Sequence, residues 1–312
     1  MIRKHSKISI IGAGSVGASI AFSVATQKLV SEIVIIDVNK NKAEGEAMDI
    51  SHGLVTMSAM DVHCGEYSDI VDSDVIVITA GLGRKPGESR LDLAAKNVGI
   101  AKDISANIMK YYNGGVIMVV ANPVDVFTYV VQKETGLPAN MVVGTGTSLD
   151  SARFRYLLSE KMGIDIKNIH GFISGEHGDS QFAVWSSVHI AGMSLNSYCA
   201  KSGITIDRDD IEKQVITSGS QVIQLKGATF YGIASITAEL CNTILKDKHS
   251  IYNISTLLDD YCGISGVCVS VPTVLGLEGA IKRIPFDFTG EEMDKLANSA
   301  RKLREFLDNL NV

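Results

Sequence analysis

The run Ile8-Ser9-Ile10-Ile11-Gly12-Ala13-Gly14-Ser15-Val16-Gly17 decides how the rest of the chain is read. A short apolar stretch leads straight into a G-x-G-x-x-G loop that opens a helical pattern. In such a loop Gly12 permits a tight turn, Gly14 lets the backbone approach a pyrophosphate, and Gly17 lets helix and strand pack closely. The pyrophosphate then meets the free amides of the helix N-terminus. The second apolar run ends in Asp37, 20 residues past Gly17. An acid there binds both ribose hydroxyls and repels a 2′-phosphate, so the expected cofactor is NAD rather than NADP. Lys40 and Lys42 stand near enough in sequence to soften that preference.

Outward from this loop, residues 33–36, 75–78, 116–120 and 141–143 repeat the same nearly continuous apolar character. Runs of this kind suit strands buried on both faces of a parallel sheet. Helix-length patterns at 16–28, 42–53, 91–112 and 124–135 separate them. The βαβ rhythm predicts an α/β fold with a doubly wound parallel (Rossmann) sheet over residues 1–147. After that the pattern changes. A helix is expected at 150–161, strands at 169–173 and 182–190, long helical stretches from 207 to 245, and a strand pair at 251–258 and 268–275. The closing helix starts at a capping box, Thr289-Gly290-Glu291-Glu292. Residues 148–312 thus read as a second, α+β substrate domain, and without a low-complexity linker the two lobes are expected to pack together.

The bulk numbers narrow the function. The chain has 312 residues, 46% hydrophobic and 21% charged, which is ordinary for a globular protein with room for two lobes. With 29 basic and 35 acidic residues the net charge is -6, which argues against nucleic acid or an anionic membrane as partner. No apolar run approaches the roughly 20 residues of a membrane span, and residues 1–9 run at once into a strand. The 5 cysteines are scattered without a CxxC pair, and there is no HExxH. The expectation is a cytoplasmic protein with reduced thiols and no metal.

For chemistry, the stretch Gly175-Glu176-His177-Gly178-Asp179-Ser180 stands out. A histidine gives and takes a proton near neutrality, and a carboxylate on one ring nitrogen fixes its tautomer and strengthens proton affinity at the other. Asp150 is the candidate partner. Arg153 lies three residues beyond Asp150 and shares its helix face, suited to a two-pronged grip on a carboxylate, whereas Arg155 points elsewhere. The segment from Ala80 to Arg90 holds Arg84, Lys85 and Arg90 where the third apolar run ends. It reads either as a solvated loop or as a lid that brings cations onto an anionic substrate.

The GAGSVG loop, Pro86-Gly87-Glu88-Ser89-Arg90, Ala121-Asn122-Pro123-Val124-Asp125, Leu149-Asp150-Ser151-Ala152-Arg153-Phe154-Arg155, Gly175-Glu176-His177-Gly178-Asp179 and Lys226-Gly227-Ala228-Thr229 together resemble the L-lactate and malate dehydrogenase family, and the likeness runs from the glycine loop to the final helix. The resemblance implies that His177 protonates a substrate carbonyl, that Asp150 stabilises its imidazolium, and that Arg90 polarises that carbonyl. It further implies that Arg153 holds the substrate carboxylate, that Asn122 orients carbonyl and nicotinamide, and that Thr229 bounds the substrate. Val16 and Gly81 join the cofactor contacts. Arg84 sits where family members read the substrate's far end, and alone it favours oxaloacetate, whose second carboxylate would neutralise it. Glu88, Thr229 and the stretches at 153–158 and 230–234 look like bacterial L-lactate dehydrogenases instead. Pyruvate is therefore the first expectation and oxaloacetate the alternative, with a non-catalytic NAD-binding sensor as a third reading.

Similar bacterial lactate enzymes place an arginine and a histidine matching Arg155 and His170 in a fructose 1,6-bisphosphate site between subunits. An ordinary interface ion pair is the competing account of Arg155. The family forms dimers and tetramers, so a homo-oligomer acting on a small 2-oxo or 2-hydroxy acid is expected.

Overall fold

In the central parallel strands, successive side chains point to opposite faces and both faces are covered, which is why their runs are apolar at nearly every position. The computed structural model describes residues 6–57, 59–83 and 90–312. Its first half runs β1 (Lys7–Ile11), α1 (Ser15–Thr26), β2 (Glu32–Ile36), α2 (Lys40–Gly53), β3 (Asp61–Cys64), β4 (Val75–Ile78), α3 (Arg90–Met109), β5 (Val116–Val119), α4 (Val124–Thr135) and β6 (Val142–Gly144). Strands β1 to β6 are parallel in the order 3-2-1-4-5-6, the arrangement of a dinucleotide-binding sheet. Ile8, Ile10, Ile33, Ile35, Val75 and Val77 pack on one face with α1 and α2. Val34, Ile36, Ile76 and Ile78 pack on the other with Ile104, Ile108 and Phe127 of α3 and α4.

The second half continues with α5 (Ser148–Met162), β7 (Ile169–His170), β8 (Ile173–Ser174), β9 (Phe182–Ala183), β10 (His189–Ile190), β11 (Met193–Ser194), α6 (Leu195–Ser202), α7 (Arg208–Lys226), α8 (Tyr231–Leu245), β12 (Ser250–Leu257), β13 (Cys268–Gly276), β14 (Gly279–Arg283) and α9 (Gly290–Asn309). The expected strand pair is β12 and β13, antiparallel in continuous register. It does not stand apart: Ser255 pairs with Gly144, so β12 to β14 extend the parallel sheet to nine strands. Helix α8 also crosses back, its Ala234, Ala238, Cys241 and Ile244 joining the core beneath α1.

Most helix ends follow their local signals. Thr289 and Glu292 form the capping box of α9, and α5 stops at Gly163 in the left-handed conformation. The stretch 207–245 is two helices, parted at Gly227, whose φ of 86° ends α7. The expected strands at 169–173 and 182–190 are broken into two-residue pieces by short turns. No helix among the described residues is long and apolar enough to cross a membrane.

Candidate active site

The glycine loop can be tested position by position. Gly12 has φ +113°, and a Cβ there would lie 2.7 Å from the Ala80 amide nitrogen. A Cβ on Gly17 would meet the Gly12 carbonyl oxygen at 1.8 Å, so strand and helix could not close. Gly14 differs: its φ is -71°, and nothing of the protein lies within 4 Å of a Cβ built there. The chain itself does not require a glycine at 14. That space suits a group approaching from outside, and Gly14 also starts α1 with no side chain capping its amides.

Asp37, at the tip of β2, accepts the Ala13 amide through Oδ2 at 2.6 Å and the Asn39 amide through Oδ1 at 2.8 Å. It therefore ties the glycine loop to β2 and still keeps free lone pairs for ribose hydroxyls. Lys40 is committed to Glu66 in an ion pair across the cleft. Glu66 thus neutralises Lys40, while Lys42 lines the same cleft. Gly12, Gly14, Asp37, Lys40, Glu66 and Gly81 line one cleft of about 930 Å³, a size that fits an extended dinucleotide.

A pocket of about 460 Å³ continues from it, sharing Thr79, Gly81 and Leu82. Val16, Asn122, Asp150, Arg153, His177 and Thr229 all line this second space, which brings the expected chemistry to one place. His177 Nδ1 lies 2.6 Å from Asp150 Oδ2, and Arg153 donates to Asp150 Oδ1 at 3.1 Å. The Asp150 side chain is 1% exposed, that of His177 27%. Burial alone would favour the neutral carboxyl of Asp150, but the charge and hydrogen bond of His177, then Arg153, hold its pKa below the usual range. Burial likewise disfavours the imidazolium, and the Asp150 charge and hydrogen bond outweigh it, raising His177 above 6.5.

The linkage has a definite sign. The depressed Asp150 contributes stability above its ordinary range that is lost as pH falls through its folded pKa. The raised His177 contributes stability below 6.5 that is lost as pH rises through its folded pKa. The pair is tightest between those limits.

The histidine loop is fastened from three elements. Gly175 and Ser270 of β13 exchange backbone hydrogen bonds at 3.1 Å, Glu176 N–H donates to Ser299 Oγ of α9 at 2.6 Å, and His177 N–H donates to Asp125 Oδ2 of α4 at 2.7 Å. Asn97, buried on α3, receives the Leu82 amide at 2.8 Å and donates to the Asn122 carbonyl at 2.9 Å, so it joins the two clefts' shared wall to Asn122. The sequence pattern assigns no role at the site to Asn97, Asp125, Ser270 or Ser299.

Arg84 and Glu88 lie outside the described residues, as does the side chain of Arg90, whose backbone opens α3. Arg155 and His170 line neither cleft. Arg155 Nε is buried without a hydrogen-bond partner, and burial lowers the guanidinium pKa. His170 is exposed on β7, opposite His189 of β10. Among the described residues no cluster of three or more His, Cys, Asp or Glu could hold a metal ion.

Residues 6–144 match the lactate/malate dehydrogenase NAD binding domain, and residues 147–311 match the α/β C-terminal domain of the same family. The chain belongs to the lactate/malate dehydrogenase family. As a member it carries an NAD-binding half, in keeping with the Gly14 space and the two acids of the cleft. It is 45% identical over 312 residues to L-lactate dehydrogenase 1 of Clostridium acetobutylicum, covering 99% of this chain and 100% of the relative. It is 42% identical over 310 residues to L-lactate dehydrogenase of Thermoanaerobacterium saccharolyticum, covering 98% and 100%. Among solved structures, the minor L-lactate dehydrogenase of Enterococcus mundtii superposes with a TM-score of 0.95 at 35% identity, covering 98% of each chain. L-lactate dehydrogenase of Clostridium thermocellum gives a TM-score of 0.88 at 49% identity, covering 97% of this chain and 98% of the other.

The two glycines separate folding from binding. Gly17→Ala is expected to lower the melting temperature, since overpacking against backbone costs on the order of 1–3 kcal/mol. Gly14→Ala should melt like the wild type yet bind NADH at least about tenfold more weakly, a loss of roughly 1.4 kcal/mol. Fluorescence titration of NADH beside thermal denaturation reads both. Wild-type affinity in the Gly14 variant would mean that no pyrophosphate approaches that position.

Proposed function

We propose that this chain is an NAD-dependent L-lactate dehydrogenase, interconverting pyruvate and L-lactate. The observation that carries the reading is the pairing of His177 with the buried Asp150, 2.6 Å apart, lining one pocket with Arg153 and Asn122. A non-catalytic sensor has no use for a proton carrier held this way. When bound, the nicotinamide supplies or accepts the hydride.

The chain's own residues supply the rest. Nδ1 of His177 is committed to Asp150, which leaves Nε2 to hand its proton to the carbonyl oxygen. Asp150 keeps the imidazolium stable until then. Arg153 gives Asp150 one of its five N–H donors and has others for the substrate carboxylate. Asn122 orients the carbonyl, Arg90 polarises it, and Thr229 closes the space beside a small methyl group. Gly12, Gly14, Val16, Gly17, Asp37, Gly81 and Asn122 hold or shape the cofactor site. The division between cofactor and substrate halves falls between Thr147 and Ser148.

Pyruvate is preferred to oxaloacetate on the full-length likeness to L-lactate dehydrogenases. Arg84 is the residue that favours the second carboxylate. A kcat/KM for oxaloacetate a hundredfold above that for pyruvate would overturn the assignment.

The enzyme acts as a homo-oligomer, a dimer or tetramer, in the cytoplasm. Exposed Phe22 on α1, Met48 on α2, and Ile223 and Leu225 on α7 support a subunit contact. Arg155, with its buried and unpaired Nε, and the exposed His170 would bind fructose 1,6-bisphosphate at such a contact. Pyruvate saturation curves that superimpose with and without the bisphosphate would remove that part of the proposal.

The pH dependence follows from the raised His177. Pyruvate reduction needs the imidazolium, so kcat/KM for pyruvate should fall as pH rises through a pKa above 6.5, and kcat/KM for lactate should rise through the same limb. His177→Ala should lower kcat by about 10²–10⁴. Full turnover by that variant would sink the mechanism.

A further inference from the structure

We propose that Gly219 is a specificity-determining residue: it leaves a notch in the pocket wall beside Arg153 that admits an aliphatic chain longer than the methyl of pyruvate, so the substrate class extends to 2-oxobutyrate and 2-oxopentanoate. The proposal deepens the function proposed above and rests on the reading of Arg153 as the clamp on the substrate carboxylate.

Gly219 stands well inside α7, where glycine weakens a helix relative to alanine because it loses more backbone freedom on folding. Nothing in the packing asks for it. Its backbone is not in the left-handed region. Among the described residues a Cβ there would meet, outside its own helix, only the terminal nitrogens of Arg153, at 3.7 and 3.8 Å, which is ordinary van der Waals contact. Alanine would fit the fold and favour the helix, so what the glycine leaves is room on the pocket side. Gly45 of α2 and Gly99 of α3 are equally dispensable to the packing, but both are exposed and line neither cleft. Gly219 is half-buried and lines the pocket of His177, Asp150 and Arg153.

The notch has an apolar rim. Ile216 lies three residues before Gly219 and Ile223 four after it, so the three share one helix face, with Ser220 beside them. All four line the pocket. Core packing does not account for the two isoleucines, since α7 buries only Ile211 and Val215 and leaves Ile216 and Ile223 exposed. Leu149 of α5 and Ile233 of α8 add apolar surface to the same pocket, while Thr229 bounds it at the α7–α8 junction, away from the notch. With the carboxylate of a 2-oxo acid on Arg153 and its carbonyl toward His177, the remaining carbons are the part of the substrate left to meet an apolar wall. Pyruvate ends in a methyl and leaves the notch empty. One more methylene fills it and buries apolar surface, and a methylene in such a pocket is worth about ten- to two-hundredfold in kcat/KM.

Gly219→Ala fills the notch, and initial rates of NADH oxidation with pyruvate, 2-oxobutyrate and 2-oxopentanoate test it. The wild type is expected to use 2-oxobutyrate with a kcat/KM within about tenfold of that for pyruvate. The variant should lower kcat/KM for 2-oxobutyrate at least about tenfold more than that for pyruvate, with 2-oxopentanoate lower still, and should melt higher because alanine favours the helix. A ratio left unchanged overturns the proposal, whether no rate falls or all fall equally as the new methyl presses on Arg153. So does a wild type about a hundredfold or more poorer with 2-oxobutyrate than with pyruvate. Titration of the NADH complex with oxamate and N-methyloxamate, amide isosteres of pyruvate and 2-oxobutyrate, reads the same difference without turnover: the variant should weaken the second about tenfold more than the first. A wild type that shows this binding pattern yet reduces no 2-oxo acid defeats the proposed function alone.

Discussion

A carboxylate sealed from water beside an imidazole is the constraint around which the substrate half is built. Asp150 is almost fully buried, and an ionised group there is tolerable only while His177 and Arg153 both answer it. Removing one partner of a buried pair typically costs about 3–5 kcal/mol. The histidine must therefore arrive at Asp150 within hydrogen-bond range, although the two are 27 residues apart and on different elements. Three backbone amides of one short loop are held by β13, α9 and α4 for this reason. Asp150 also lies in the first turn of α5, where the helix dipole favours its charge.

The same constraint explains why the sheet is continuous. Were β12 to β14 a separate layer, Ser270 and Ser255 would float relative to β6 and to the cofactor edge. The Ser255–Gly144 pairing instead makes β12 and β13 an extension of the dinucleotide sheet. A Cβ at Gly144 would lie 2.3 Å from Thr128 Oγ1 and 3.0 Å from Ser255 Cβ, so the close approach of β6 to α4 and β12 depends on that glycine. Proton donor and hydride site are thereby referenced to one rigid sheet, as hydride transfer demands of its reacting atoms.

What was legible in the sequence is what local physics dictates. The glycine loop, the two-faced apolar strands, the helices between them and the Thr289–Glu292 cap each follow from a few adjacent residues. Strand β3 escaped notice because only Val62 of its four residues is buried, and β14 because only Gly279 and Ala280 are. Helix α6 spans only eight residues, so its core-facing set of Leu195, Tyr198 and Cys199 is too short a pattern to stand out. The motif residues His177, Asp150, Arg153, Asn122 and Thr229 were readable through resemblance, and the fold brings them to one pocket. Asn97, Ser270 and Ser299 were not. Each is an ordinary small polar residue in its own segment and acquires a role only through partners 15 to 123 residues away, which no spacing rule encodes.

This division of labour bears on how the site is held. The groups proposed to move the proton and grip the substrate carboxylate stand on α5 and on a loop fastened at three points, where a shift of one would strain the others. Arg84, proposed to read the substrate's far end, lies outside the described residues. Among the described residues, the backbone of the His177 loop takes its support from α4, β13 and α9. The proposed proton carrier is therefore positioned by distant elements of the scaffold rather than by its own loop alone.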